Sequence, residues 1–140
     1  IFLQKKGLLF ENYVDFNNNQ IFIQNDFIIK LSNFLNNGKD LGLYVNKNYK
    51  KGEIIEISPL IEISKPCDSL IDYFFAYNKK KYMAIGYIPL INHSKNYNCL
   101  WKIKDSRTIT LYATKDINRE DELLTSYGAN YFLSRNIKEN

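Results

Sequence analysis

Histidine occurs once, at position 93, cysteine twice, tryptophan once and proline three times in this chain of 140 residues. A structural zinc site needs four ligands, and a lone His93 with Cys67 and Cys99 far apart cannot supply them. There is no C-x-x-C pair, and nothing demands a disulfide, so a reducing, intracellular compartment is expected. No apolar run approaches the ~20 residues that span a bilayer, so a soluble protein with no membrane partner is expected. No sequence repeat or long low-complexity segment interrupts the chain. It begins Ile1-Phe2-Leu3-Gln4 with neither Met nor a signal-peptide pattern, so this end is read as trimmed from something longer.

What is present is ample for a core: 45% of the residues are hydrophobic and 15% aromatic. That length and composition fit one folded domain. The net charge of +4 is mildly basic, but no Lys/Arg stripe stands out. The densest basic run, Lys79-Lys80-Lys81, reads as a solvated loop.

Short segments of β type are separated by Asn, Gly, Asp and Lys clusters. They are Ile21–Ile23, Phe27–Ile29, Leu41–Val45, Glu53–Ile63 and Thr108–Tyr112. In Glu53–Ile63 the residues Ile55, Ile57, Ile61 and Ile63 fall at even spacing, which predicts one apolar face. Thr108–Tyr112 alternates as a half-buried strand does. Lys50–Glu53 and Asn118–Asp121 read as turns, and residues 31–38 as a loop. Helix is scarce; Asp68–Tyr77, with Asp68 or Ser69 as a cap, is the one short helix expected.

Three separated segments carry the chemistry. Asp40-Leu41-Gly42-Leu43-Tyr44-Val45, followed by Lys51-Gly52-Glu53, resembles the G-x-G-[LV]-[FY]-A … K-G-E opening of SET-domain lysine methyltransferases. The stretch from Asn92-His93-Ser94 to Asn98-Cys99 resembles their N-H-S-x-x-P-N-C signature, and Asp121–Gly128 their E-E-L-T-x-x-Y-G signature. Asn92–Lys95, Asp72–Phe75 and Tyr131–Arg135 further resemble the small stand-alone viral SET histone H3 methyltransferases. The resemblance spans 27–135, leaving 1–26 as an N-terminal extension of unknown role and 136–140 as a tail. Two positions depart from it: Asp40 stands where the family has the first glycine, and Tyr97 where it has proline. No cysteine cluster follows Arg135, so the zinc segment that closes the lysine channel in many relatives is missing. The 129–140 tail or a second copy of the chain is left to close it.

The resemblance implies a mainly β, SET-domain (β-clip) fold of short twisted sheets, with a C-terminal pseudoknot and little helix. It implies transfer of a methyl group from S-adenosylmethionine to a lysine amine, on a histone tail with H3 favoured, and hence a place in the nucleus. It also leaves room for nucleosome contact and a homodimer. An in-line displacement of this kind depends on alignment, worth roughly 7–11 kcal/mol of a barrier. An apolar channel beside a fixed sulfonium lowers a lysine pKa by desolvation and like charge, so no strong general base is required.

By the same resemblance Tyr127 is the catalytic tyrosine, and Asn92 and His93 bind the cofactor. Leu41, Gly42 and Leu43 give it main-chain contacts, and Phe132 lies under its adenine ring. Tyr73, Trp101 and Tyr131 are walls of the lysine channel, where aromatic faces attract ammonium groups. Thr125 stands where some relatives carry the aromatic that limits methyl number. Read from the residues alone, each has a plain alternative: Tyr127 a buried strand-end tyrosine, His93 a turn residue, the aromatics core packing. Two other functions stay open, a catalytically inactive SET module that binds chromatin or a protein, and a methyltransferase for a non-histone protein.

Overall fold

The computed structural model describes residues 12–16, 19–65 and 67–128, with the side chains of 12–16, 19–22 and 71–72 left aside. In chain order the strands are β1 (Asn12–Phe16), β2 (Asn19–Gln24), β3 (Phe27–Leu31), β4 (Leu41–Val45) and β5 (Ile54–Glu62). A 3-10 helix (Asp68–Tyr73) leads to β6 (Phe74–Tyr77) and β7 (Lys80–Ala84). A second one (Ile88–Leu90) leads to β8 (Asn92–His93), followed by β9 (Cys99–Asp105), β10 (Thr108–Ala113) and β11 (Leu124–Thr125). Two antiparallel sheets result, β1-β2-β3-β4 and β6-β7-β5-β10-β9, together with a two-stranded parallel pair, β11-β8. The mainly β expectation holds, and the short pieces of helix are 3-10.

The core lies between the sheets. Leu43, Val45, Ile109, Leu111 and Leu123 are wholly buried, with Phe27, Ile55, Leu60, Ile88 and Ile91 packed around them. Strand β10 follows its sequence pattern: Ile109, Leu111 and Ala113 point in, Thr108 out.

Strand β5 departs from its pattern. Ile55 is buried, but Ile57 is 59% exposed and Ile61 52% exposed, while Ser58 and Leu60 are buried instead. The cause is a bulge: Leu111 pairs with Glu56 and Tyr112 with Ile54, so Ile55 is an extra residue and the inward phase changes after it. An evenly spaced isoleucine series therefore crosses from one face to the other.

The segment expected to be one helix over Asp68–Tyr77 is helical only to Tyr73, and there it is 3-10. Phe74–Tyr77 is instead a strand paired with Lys80–Ala84. Its two-residue loop, Asn78-Lys79, has φ of 49° and 62°, the doubly left-handed geometry that suits a hairpin. Aromatic residues with a good turn beside them pair more readily than they coil. Lys80 and Lys81 are thus exposed strand residues, with Lys80 Nζ 3.1 Å from Glu62, and only Lys79 lies in a loop. Residues 31–38 are a loop with turns after β3, and 50–53 and 118–121 are turns, as expected.

Burial leaves the hydroxyls of Tyr49, Thr114 and Thr125 without partners among the described residues, and Tyr49 is the largest of the three. Tyr49 is 3% exposed and its hydroxyl has no hydrogen-bond partner among the described residues. Burial, then the nearby carboxylates Asp26, Glu53 and Glu56, push its pKa from 10.0 to about 12. Tyr44 is raised to about 12 as well, again chiefly by burial. As pH rises past 10 the unfolded chain ionises these phenols while the folded chain does not. Stability is therefore intact below pH 10, falls between 10 and 12, and stays lost above. Tyr49→Phe should leave neutral-pH stability unchanged or raised by about 1 kcal/mol. It should also flatten the alkaline loss, read as the urea midpoint against pH.

Candidate functional site

The central motif enters the site from a short apolar turn. Pro89 helps set the 3-10 helix Ile88–Leu90, which ends where Ile91 returns to extended backbone. Asn92 and His93 then run parallel to Leu124 and Thr125, paired 92 with 124 and 93 with 125. The Ser94 amide continues the ladder by donating to Thr125 O at 2.9 Å. His93 thus lies in a paired strand and not in a loose turn. Among the described residues no group of three or more His, Cys, Asp and Glu is placed to hold a metal ion.

Tyr127 is tied to this motif at both ends. Its backbone N–H donates to His93 Nδ1 at 2.9 Å, and its hydroxyl donates to Ile91 O at 2.7 Å. The two rings lie 5.2 Å apart at 48°. Because Nδ1 accepts, the hydrogen of the neutral imidazole is on Nε2. His93 here orients a backbone amide, which matches a structural and binding role better than that of a base. With its proton given to Ile91, the Tyr127 hydroxyl acts through its lone pairs. The site holds two oxygens, Tyr127 Oη and Ile91 O, side by side.

A second polymer of hydrogen bonds fastens the segment that leads to Tyr127. Asn98 donates from Nδ2 to Glu122 O at 2.9 Å and accepts at Oδ1 from the Leu124 amide at 2.9 Å. Its own amide donates to Leu124 O, and Cys99 Sγ reaches the same oxygen at 3.4 Å. Burial raises the Cys99 thiol to about 12, so it stays a thiol and serves as a packed donor. Asn98 was quoted within a motif above but given no role; its side chain bridges two strands that sequence order keeps apart.

Leu41–Leu43 form the other wall. β4 pairs with β3 and, through Leu123 N–H to Leu43 O at 2.7 Å, with the C-terminal segment. Asn92 Nδ2 donates to Leu41 O at 3.0 Å, bringing the first and second motifs into contact. Gly42 is needed for close approach. A Cβ there would stand 2.6 Å from Glu122 Oε2 and 3.3 Å from Ser32 Cα. Asp40 does not have a left-handed φ, so its backbone angle makes no demand for glycine. Its carboxylate accepts from Asn37 Nδ2, and its carbonyl accepts from the Ser32 amide at 2.8 Å.

Glu122 joins these parts, a role the sequence did not give it. Oε2 accepts from Ser32 Oγ at 2.7 Å and from Asn92 Nδ2 at 3.3 Å; Oε1 accepts from the Phe34 amide at 3.1 Å. Ser32 and Glu122 lie 90 residues apart, so only the fold reveals the pairing. The hint available was a carboxylate placed just before the strand-like Leu123-Leu124-Thr125. Beside it Tyr44 bolts the same loop, accepting from the Asn33 amide at 2.7 Å and donating to Leu31 O at 2.8 Å.

The remaining candidates are spread out. Trp101 lies on β9, half-buried, edge-to-face with Phe75 at 5.0 Å and 76°. Tyr73 ends the 3-10 helix and is 42% exposed. Thr125 is buried, its Oγ1 without a partner among the described residues. Tyr131 and Phe132, like the 129–140 tail, lie outside the described residues. Asp105 and Asp121 serve turns. Asp105 Oδ1 accepts from the amides of Arg107 and Thr108, and Asp121 Oδ2 from that of Asn118.

The family profile described as the SET domain matches residues 40–128. A Schizosaccharomyces pombe protein named "Histone-lysine N-methyltransferase, H3 lysine-37 specific" is 30% identical over 100 residues, covering 64% of this chain and 67% of that one. A crystal structure of a Plasmodium falciparum protein, described as a candidate histone methyltransferase, superposes with a TM-score of 0.67. It is 32% identical and covers 79% of this chain and 99% of that one.

Proposed function

The chain belongs to the SET-domain family of protein-lysine methyltransferases, and from that premise we propose that it methylates a histone tail from S-adenosylmethionine, with Tyr127 at the reacting centre. The observation that carries this is the pair of oxygens, Tyr127 Oη and Ile91 O, held 2.7 Å apart beside the Asn92-His93 strand. Fixed oxygen dipoles stabilise positive charge where water is excluded, and they need no reorganisation as the reaction proceeds. The acceptors fit the cofactor's cationic end: Tyr127 Oη and Ile91 O lie side by side next to the Asn92-His93 strand. When bound, S-adenosylmethionine supplies an electrophilic methyl group on a sulfonium.

The chain's own part is alignment. Asn92, His93 and the Leu41–Leu43 backbone hold the cofactor, and Tyr127 orients the lysine amine by accepting from it. Tyr73, Trp101 and Tyr131 are proposed as channel walls and Phe132 as the adenine contact. The SET domain is taken as 27–135, with 136–140 a tail. Part of the 1–26 extension pairs as β1 and β2 onto the β3–β4 sheet. An H3 tail is favoured because of what the S. pombe relative is named for, and it brings with it nuclear residence and nucleosome contact. Likeness to the viral stand-alone enzymes rests on the short motifs alone.

The test is transfer of labelled methyl to core histones and to unrelated lysine-rich proteins. Label on H3, lost when one tail lysine is replaced by arginine, is the expected result. Binding of S-adenosylhomocysteine with label only on other proteins overturns the histone substrate. Absence of both binding and label overturns the enzyme and leaves an inactive module.

A further inference from the structure

Glu122 is half-buried and belongs to none of the roles assigned above, yet it gathers more of the site than any other side chain. Its ionised carboxylate is an acceptor only. Three donors converge on it: the Ser32 hydroxyl, the Phe34 amide and the Asn92 side-chain amide. Ser32 passes the connection on, its Oγ accepting from the Leu35 amide at 3.0 Å. The carboxylate is thus a strap across the loop that follows β3, passing over the Cα of Gly42.

The consequence for Asn92 is chemical. An asparagine amide has one end that donates and one that accepts, and its neighbours decide which faces a ligand. Here Nδ2 lies between two acceptors, Leu41 O and Glu122 Oε2. Turning the amide over would set Oδ1 against both oxygens and lose both hydrogen bonds. The donor end is therefore committed to the protein, and the acceptor end is what Asn92 has to offer.

We infer that Glu122 is a positioning residue that locks the Asn92 amide with its carbonyl toward the cofactor, so that the amino-acid end of that molecule is recognised by its ammonium group. The inference rests on the reading of this site as an S-adenosylmethionine pocket. An acceptor oxygen meets an ammonium favourably and a carboxylate unfavourably, so the strap sets the polarity of recognition. Glutamine at 122 has the same shape but carries N–H groups at one end. With its oxygen kept for Phe34, its nitrogen faces Asn92, so the Asn92 amide keeps only its bond to Leu41 O and its orientation is no longer fixed from both sides.

Calorimetry with S-adenosylhomocysteine and with its deaminated analogue separates this from a general loss of structure. The parent should prefer the aminated ligand. Glu122→Gln should weaken that ligand by about tenfold or more, the scale of a charge-assisted hydrogen bond, and the deaminated one by no more than about twofold. Equal weakening of both ligands, or of neither, overturns the inference. A second readout needs no ligand: the Asn92 side-chain amide protons should exchange with solvent faster in Glu122→Gln, and unchanged exchange also overturns it. If the parent binds neither ligand while Glu122→Gln still shows the faster exchange, the cofactor reading and the cofactor part of the inference are overturned and only the strap is kept.

Discussion

Tyr127→Phe is expected to lower methyl transfer by about 10²–10³-fold, the range seen when one fixed dipole is removed from a reacting centre. The substitution deletes only the hydroxyl. The backbone N–H to His93 Nδ1 persists, and so does the ring packing against His93. What disappears is the oxygen beside Ile91 O, and that carbonyl loses its donor. Affinity for S-adenosylhomocysteine should stay within about threefold of the parent, so the loss falls on kcat. A variant that keeps more than about a tenth of parent activity would remove Tyr127 from the chemistry. One that loses cofactor affinity in proportion would make it a binding residue.

Asn98→Ala should be the most damaging change outside the core. The asparagine side chain satisfies the Glu122 carbonyl and the Leu124 amide, and both are left without it in the variant. An unmet partly buried group costs about 1–3 kcal/mol, so the pair costs roughly 2–6 kcal/mol in urea unfolding. The segment between Glu122 and Tyr127 loses its anchor to β9, so turnover should fall more than the folded fraction does. Equal declines in turnover and folded fraction would confine Asn98 to stability.

Much of this was legible in the sequence, for different reasons in different places. Strand β10 was read correctly because its alternation is uninterrupted and both neighbours pair with it. Strand β5 misled because a single extra residue at Ile55 changes the phase, and a bulge leaves no mark in composition. The Asp68–Tyr77 segment misled because aromatic pairs at 74–75 fit an amphipathic helix and a strand equally well. The left-handed turn at Asn78-Lys79 decided between them. Asn92, His93 and Tyr127 were picked out by a family pattern, and the structure joins them through Ile91 and Thr125. The contact of Glu122 with Ser32 was not picked out, because a contact across 90 residues has no local signature.

The Glu122 arrangement is repeated elsewhere. Glu56 Oε2 accepts from Ser58 Oγ at 2.7 Å and from the Tyr87 amide at 2.9 Å, and a Cβ on Gly86 would stand 2.4 Å from Ser58 Oγ. In both places a carboxylate, a serine and a bare glycine Cα fit together, and adding a methyl to the glycine displaces the acid.

The parallel pairing of β8 with β11 bears on how the molecule comes into being. Ile91 and Tyr127 are separated by 36 residues, and the hairpin of β9 and β10 lies between them. Such a long closure is slow compared with forming the hairpins it brackets. On a ribosome, both sheets can assemble while the exit tunnel still holds the last strand. Tyr127 meets Ile91 and His93 only once Leu124 and Thr125 have emerged and docked beside Asn92 and His93.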